Sequence, residues 1–241
     1  MEAFGLKMKM NEWKHIFKLD PAKEIEEENL KLICQSGTDA IMIGGTDNIT
    51  LEAVTDLYER VIQYTSVPII LEVSRMDAVM SGIDYYFIPM VFNSQEKKWM
   101  MDMQHQGIRE YMDYIQYVDM VFEGYCVLNK DAKVFEYTNS FLPDRKDVAA
   151  YAYMAEHVYH LPIFYVEYSG TYGDVDMVKE AKSQLQNTLL FYGGGIQNRK
   201  QAKEMKQYAD VIVVGNGIYE NLEQAMETVH AVKGNNSEVQ G

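Results

Sequence analysis

Short apolar runs alternate with helical patterns along most of the chain. Eight runs have the length of a strand, at residues 15–19, 39–44, 68–73, 85–90, 118–128, 162–167, 188–192 and 210–214. Several are apolar at consecutive positions, as in "AIMIG" and "DVIVVG", which is typical of parallel strands that are buried on both faces. The pattern therefore predicts a parallel sheet whose strands are connected by helices.

The segments between these runs carry apolar residues at helical spacing. One helical face comprises Ala202, Met205 and Ala209, and a second follows Gly217 with Ile218, Leu222, Ala225, Val229 and Val232. Eight such β/α units in 241 residues match the count and size of a TIM (β/α)8 barrel. We predict this α/β fold for residues 1–241 as a single domain, with residues 1–11 as an N-terminal extension and 234–241 as a flexible tail. A doubly wound open sheet is the second choice, because it usually has fewer strands.

The third unit is too short for a normal barrel helix. Only "SRMDAVMSGI" separates the third strand from the fourth, and part of that segment must form turns. We predict a short or missing helix here, which would leave an opening in the outer ring that a long ligand could use. A shortened helix without any role is equally compatible with the sequence.

The net charge of the chain limits the classes of molecule that the protein is expected to bind. A net charge of −14 disfavours a nucleic-acid-binding protein, which normally has a basic face. An anion would have to be bound locally, by backbone N–H groups, helix N-termini and a lysine. The chain has no apolar run of transmembrane length, and Cys34 and Cys126 do not make a disulfide framework. We expect a cytoplasmic protein with two buried cysteines.

Three consecutive glycines follow the seventh apolar run in "LLFYGGGIQNRKQA". A dinucleotide fingerprint would need a third glycine where Asn198 stands, and no Gly-Lys-Ser/Thr sequence of a P-loop occurs. In the barrel, this stretch and "VVGNGIYE" follow strands seven and eight, where TIM barrels usually bind phosphate. Gly195 and Gly215 therefore predict a phosphate site, with two ordinary glycine turns as the alternative.

Polar side chains also occur at other strand ends, where barrel enzymes place their functional residues. Asp20 and Thr46 follow neighbouring strands, and their oxygens suit Mg²⁺. His157 and His160 are expected to be surface or packing residues, so a transition metal is not predicted. Glu167 lies in an apolar and aromatic strand end, where a carboxylate can serve as a general base. Glu72 and Glu123 are rival candidates, and a structural, hydrogen-bonded glutamate is the alternative for each.

Several long blocks in order resemble the bacterial heptaprenylglyceryl phosphate synthases, relatives of the archaeal geranylgeranylglyceryl phosphate synthases. They include "EWKHIFKLDP", "SGTDAIMIGGTDNIT", "LPIFYVEYSGTYGD", "LFYGGGIQN" and "ADVIVVGNGIYE". The resemblance runs from about residue 12 to residue 233. It implies a TIM-barrel prenyltransferase that joins sn-glycerol 1-phosphate to a polyprenyl diphosphate and releases pyrophosphate, with Mg²⁺ as cofactor.

The resemblance also implies roles for individual residues. The Mg²⁺ positions match Asp20 and Thr46, and within this chemistry we take Glu167 as the hypothesis for the catalytic base. The implied glycerol phosphate site comprises Lys18, Tyr165, Val166, Glu167, Tyr168, Ser169, Gly170, Gly195, Gly215 and Asn216. A homodimer and transient contact with a membrane surface are further expectations. The alternatives are a phosphosugar isomerase or synthase barrel and a non-catalytic phosphate- or flavin-binding barrel.

Overall fold

Eight parallel strands close into a barrel in the computed structural model of the chain, which describes residues 10–234. Each strand pairs with the next, and β8 pairs with β1 to complete the cylinder. The strands are β1 His15–Leu19, β2 Ala40–Ile43, β3 Ile69–Glu72, β4 Tyr85–Val91, β5 Met120–Val127, β6 Ile163–Glu167, β7 Leu189–Gly193 and β8 Val211–Val214. The predicted TIM barrel is confirmed.

Helices surround this barrel within the same part of the chain. They are α1 Glu27–Cys34, α2 Leu51–Val61, α3 Met103–Tyr111, α4 Lys133–Tyr137, α5 Arg145–His157, α6 Val175–Ser183, α7 Arg199–Met205, α8 Gly217–Glu220 and α9 Leu222–Lys233. A π-helical turn, Lys98–Asp102, leads directly into α3. The helical face expected after Gly217 is divided between α8 and α9, because Asn221 ends the first helix and caps the second.

The third unit lacks an α-helix, as its length predicted. Between β3 and β4 the chain forms only a 3₁₀ turn at Met76–Ala78. The outer ring is therefore open beside β4, and α3 is the next α-helix along the chain.

Alternation along the strands sends neighbouring side chains to opposite sides of the barrel wall. Phe87, Tyr125 and Phe191 belong to the core inside the barrel, and Leu30, Ile33 and Val178 belong to the core between strands and helices. Toward the carboxyl ends of the strands the interior becomes polar, with Glu123 and Glu167 among the buried side chains. The register aligns Glu167 with Val127 of β5 and Gly193 of β7. The fold thus brings charge to the mouth at which TIM-barrel sites lie.

Three further predictions concern the ends and surroundings of this fold. Both cysteines are buried, as expected. Within residues 10–234 no helix is long and apolar enough to cross a lipid bilayer. The expected N-terminal extension and tail lie outside the described residues, except for residues 10, 11 and 234. Of these, Met10 is buried against the barrel interior.

Candidate active site

A polar cavity of about 430 Å³ opens at the carboxyl ends of the strands. The loops after β1, β2, β6, β7 and β8 contribute to its wall, as does the α4 segment that follows β5. Among the predicted site residues its lining includes Lys18, Asp20, Thr46, Tyr165, Glu167, Ser169, Gly170, Gly195, Gly215 and Asn216. The structure therefore brings ten of the twelve predicted site residues to one cavity.

The side chains of Val166 and Tyr168 do not reach this cavity. Val166 points to the outside of the barrel wall, because it alternates along β6 with Tyr165 and Glu167. Tyr168 also belongs to the outer core, and its backbone N–H donates to Gly193 O at 2.7 Å. These two residues connect the loop after β6 to the barrel and do not line the site.

The three glycines after β7 allow that loop to pack closely. A Cβ at Gly193 would lie 2.2 Å from the Tyr165 hydroxyl, and one at Gly194 would lie 2.4 Å from Tyr168 Cβ. Gly195 has φ +54°, and a Cβ there would lie 2.1 Å from the backbone nitrogen of Tyr172. The glycines thus allow the loops after β6 and β7 to pack closely, and their backbone atoms form part of the cavity wall.

An apolar groove begins beside the polar cavity and runs along the outside of β4. One wall is the segment after β3 with Met76 and Val79, and another is α3 with Ile108 and Tyr111. It extends to Ile115 and to Met120, which pairs with Tyr86 near the starts of β5 and β4. The groove therefore occupies the place of the missing third helix.

The cavity and the groove meet at the barrel mouth. Lys18, Thr46 and Ser169 belong to the linings of both. A molecule bound in the polar cavity would therefore face the end of a molecule that extends along the groove.

Lys18 forms a short ion pair at this junction. Its Nζ donates to Glu72 Oε2 at 2.5 Å, and both side chains are largely buried. Burial acts to lower the pKa of Lys18, but Glu72 and Glu167 outweigh it and raise the pKa above its usual value. Lys18 is therefore a permanent positive charge at the junction.

Glu167 is surrounded by hydrogen-bond donors. Tyr125 donates its hydroxyl to Glu167 Oε2 at 2.8 Å, and Oε1 accepts from the hydroxyl and backbone N–H of Ser169. Burial raises the pKa of Glu167, although Lys18 and the Tyr125 hydrogen bond partly oppose this rise. A carboxylate with a raised pKa that lines the cavity suits a general base.

The rival glutamates have different environments. Glu72 is held by Lys18, and its other oxygen, Oε1, has no hydrogen-bond partner among the described residues. Glu123 is fully buried, lines neither cavity nor groove, and neither of its carboxyl oxygens has a partner there. Burial, reinforced by Glu72, raises the pKa of Glu123 well above its usual value and so favours the uncharged acid. Only Glu167 combines access to the polar cavity with a raised pKa and freedom from an ion pair.

Asp20 and Thr46 lie on the same cavity wall and supply oxygen ligands of the kind that Mg²⁺ prefers. Asp20 Oδ1 accepts the N–H of Ala22 at 3.0 Å, which fixes the carboxylate at the rim. Within residues 10–234 no group of three or more His, Cys, Asp or Glu could hold a metal ion. The oxygens of Asp20 and Thr46 are the donor type that fits an ion which takes few protein ligands and completes its shell with water and phosphate.

Two lysines of the cavity do not follow from the sequence argument. Lys23 donates to Asn216 Oδ1 at 2.9 Å, and Lys133 is ion-paired with Asp47. Both line the polar cavity and give it positive charge in an acidic protein. Their positions after β1 and β5 could have indicated these lysines, because functional residues of TIM barrels lie in the segments that follow the strands.

Comparison with known proteins gives one consistent family. The model of the PcrB family matches residues 8–233. The heptaprenylglyceryl phosphate synthase of Oceanobacillus iheyensis is 61% identical over 226 residues, which cover 94% of this chain and 99% of that protein. That of Anoxybacillus flavithermus is 53% identical over 229 residues, which cover 93% and 99%.

Solved structures support the fold. The (S)-3-O-geranylgeranylglyceryl phosphate synthase of Thermoplasma acidophilum, in complex with its substrate sn-glycerol-1-phosphate, superposes with a TM-score of 0.84 at 22% identity. The match covers 96% of this chain and 98% of that one. The tryptophan synthase alpha chain of Legionella pneumophila reaches 0.54 at 15% identity, with 98% of each chain covered.

Proposed function

The chain belongs to the PcrB family, and we propose on that basis that it is a heptaprenylglyceryl phosphate synthase. It joins the 3-hydroxyl of sn-glycerol 1-phosphate to a long polyprenyl diphosphate through an ether bond and releases pyrophosphate. The relatives with this name match nearly the full length of the chain, and the Thermoplasma neighbour holds glycerol phosphate in the same fold.

One observation carries the proposal beyond the family name. A polar, glycine-walled cavity and an apolar groove meet at Lys18, Thr46 and Ser169. The cavity suits a small phosphorylated alcohol, and the groove suits a long hydrocarbon chain. A phosphosugar isomerase or synthase would use only the polar cavity, so the apolar groove would have no role in that function.

The geometry supports a direct transfer. Backbone at Gly195 and Gly215, with Asn216 and Lys23 beside it, holds the phosphate and so fixes which hydroxyl faces the junction. The oxygen of that 3-hydroxyl forms a bond to the first carbon of the prenyl chain, while the bond from this carbon to the diphosphate breaks. Glu167 accepts the hydroxyl proton, and Lys18 lies where the negative charges of both substrates come together.

Mg²⁺ remains part of the proposal. Asp20 and Thr46 are the residues that would hold it, and it would offset charge on the departing diphosphate oxygens. Removal of divalent ions with a chelator is expected to stop product formation, and added Mg²⁺ is expected to restore it. Full activity in the presence of the chelator would contradict this cofactor.

A homodimer is also proposed. Exposed apolar side chains on and beside α5, among them Tyr153 and Val158, offer a surface for self-association. Sedimentation velocity of the full chain tests the proposal, because a dimer has twice the mass of the single chain. A single-chain mass over a wide range of concentrations would contradict it.

Product formation tests the function itself. The protein is incubated with labelled sn-glycerol 1-phosphate, Mg²⁺ and prenyl diphosphates of graded length, and the organic-soluble label is measured. We expect label transfer that increases toward the heptaprenyl substrate, since a longer chain fills more of the groove. The enantiomeric sn-glycerol 3-phosphate is the control and should be a poor acceptor. Absence of transfer with every diphosphate would overturn the proposal.

A further inference from the structure

Helix α3 covers the apolar groove and contacts the core of the barrel through the partly buried Met103 and Tyr111. None of its residues is buried. Two polar contacts hold it in place: Gln104 Nε2 donates to Pro89 O at 2.6 Å, and the Tyr111 hydroxyl donates to Met76 O at 2.5 Å. The Tyr111 contact joins α3 to the segment after β3, so it connects the two walls of the groove. One side of α3 therefore faces the groove and the other faces solvent.

The solvent side of this region is unusually apolar. We call its five exposed side chains the α3 rim: Met101, Ile108, Met112, Tyr114 and Tyr117. Tyr114 is 77% exposed and Tyr117 74%, the highest values among the exposed large hydrophobic residues of the described chain. Scattered exposed apolar residues need no explanation, but five of them within seventeen positions form a patch.

The rim is continuous with the groove. Ile108 is both partly exposed and part of the groove lining. Tyr111 and Ile115, which line the groove, alternate along the chain with Met112, Tyr114 and Tyr117 of the rim. The two most exposed tyrosines thus lie at the end of the groove that is remote from Lys18, where Ile115 and Met120 line it.

The charges beside the rim argue against an anionic partner. Between residues 97 and 119 the chain carries Lys97, Lys98 and Arg109, but also Asp102, Glu110, Asp113 and Asp119. This balance gives no basic patch that would attract acidic lipids or nucleic acid. Tyrosine, with an apolar ring and a polar tip, and the flexible side chain of methionine suit the boundary between water and an uncharged lipid surface.

We propose that the α3 rim docks on a zwitterionic lipid bilayer, so that a long prenyl diphosphate passes from the bilayer into the groove without crossing water. The proposal rests on the proposed function, because it assigns the groove to a prenyl chain. The chain substrate is itself a membrane lipid, and exposing its hydrocarbon to water during transfer would be strongly unfavourable. A docking surface at the remote end of the groove removes that step.

Flotation of the full-length protein with phosphatidylcholine vesicles tests the docking without any turnover. The rim variant combines Met112→Gln, Tyr114→Ser and Tyr117→Ser, three positions that do not line the groove. The control variant combines Leu32→Gln, Leu51→Gln and Ile62→Gln, which are exposed apolar residues on and beside α1 and α2. We expect the rim variant to lower vesicle binding by about tenfold or more, independently of salt, and the control variant to bind like the unchanged protein. Equal binding by both variants would overturn the proposal.

Turnover then separates this proposal from the proposed function. The rim variant should act slowly on heptaprenyl diphosphate in vesicles but at the normal rate on a short, water-soluble allylic diphosphate. A normal rate on the vesicle-borne substrate would overturn the docking proposal. If the unchanged protein turns over neither substrate, the proposed function fails, while flotation still reports on docking. If the rim variant floats like the unchanged protein but no longer self-associates in sedimentation, the rim contacts a second copy of the chain, and the docking proposal is overturned.

Discussion

Glu167 is the proposed general base, because its carboxylate lines the cavity and has a raised pKa. Glu167→Gln keeps the shape of the side chain but cannot accept a proton. We expect product formation to fall by about 10²–10⁴-fold while glycerol phosphate still binds. Measuring both the turnover and the Kd of the variant checks this prediction.

Glu123→Gln is the matched control for that experiment. Glu123 is buried and its pKa is raised, so an amide replaces a carboxyl group whose uncharged form is favoured. This variant should retain most of its turnover. If Glu123→Gln were inactive and Glu167→Gln active, the base would have to be assigned elsewhere.

Tyr125 sets the pH at which Glu167 becomes ionised. Its hydroxyl hydrogen bond lowers the pKa of Glu167 against the larger effect of burial. Tyr125→Phe removes this contribution, so the pKa should rise further and the carboxylate should become protonated at a higher pH. Because a base acts in its ionised form, the acid limb of kcat/KM should move to higher pH.

Profiles of kcat/KM against pH for the two proteins check the prediction for Tyr125. The substrate phosphate also titrates, but it contributes equally to both profiles. Tyr153→Phe, an exposed tyrosine on α5, should leave the profile unchanged. An acid limb that moves to lower pH in Tyr125→Phe would contradict the assigned role of the hydroxyl.

The ends of strands β7 and β8 carry glycines with different physical roles. Gly195 has φ +54°, and a Cβ there would overlap the backbone of Thr171 and Tyr172. Gly215 has no such conflict: the nearest atom to its Cβ would be Lys18 O at 3.6 Å. Because Val211 and Val213 point into the barrel, a side chain at position 215 would point into the cavity.

Alanine substitutions should separate these two roles. Gly195→Ala is expected to lower the free energy of unfolding by about 2 kcal/mol or more through strain and displaced backbone. Gly215→Ala should change stability by less than about 0.5 kcal/mol and weaken glycerol phosphate binding instead. Denaturant unfolding and titration calorimetry on both variants measure the two effects. An equal loss of stability in both would show that Gly215 is only structural.

At the level of elements, the sequence predicted what is encoded locally. All eight strands follow from apolar runs, and the missing third helix follows from a count of ten residues between two strands. The walls of the groove could not be predicted, since the contact of Tyr111 with Met76 joins positions 35 apart. The ion pair of Lys18 with Glu72 spans 54 positions, and no local pattern specifies it. Strand alternation alone predicts that the side chain of Val166 points outward, whereas the family motif places this residue in the site.

The whole barrel closes where β1 pairs with β8, and beside this seam His15 joins the first strand to the last helix. Its Nδ1 is 3.0 Å from Thr38 Oγ1 and its Nε2 is 2.9 Å from Thr228 Oγ1, so both ring nitrogens are occupied by hydroxyls. Complete burial lowers the pKa of His15 to about 3. The folded protein therefore holds a neutral imidazole across the range in which an unfolded chain would protonate it, near pH 6.5.

This difference makes closure of the barrel sensitive to acid. The unfolded state binds the proton first, so the contribution of His15 is complete above pH 6.5 and declines as the pH falls toward 3. The loss of this contribution between pH 7 and pH 5 should lower the free energy of unfolding by about 2 kcal/mol. His15→Gln should lose less stability over this interval than the unchanged protein, whereas His230→Gln, an exposed histidine on α9, should lose the same amount. Urea unfolding of the unchanged protein and both variants at pH 7 and pH 5 measures these losses. Equal losses in the His15→Gln variant and the unchanged protein would show that the histidine is protonated in the folded barrel.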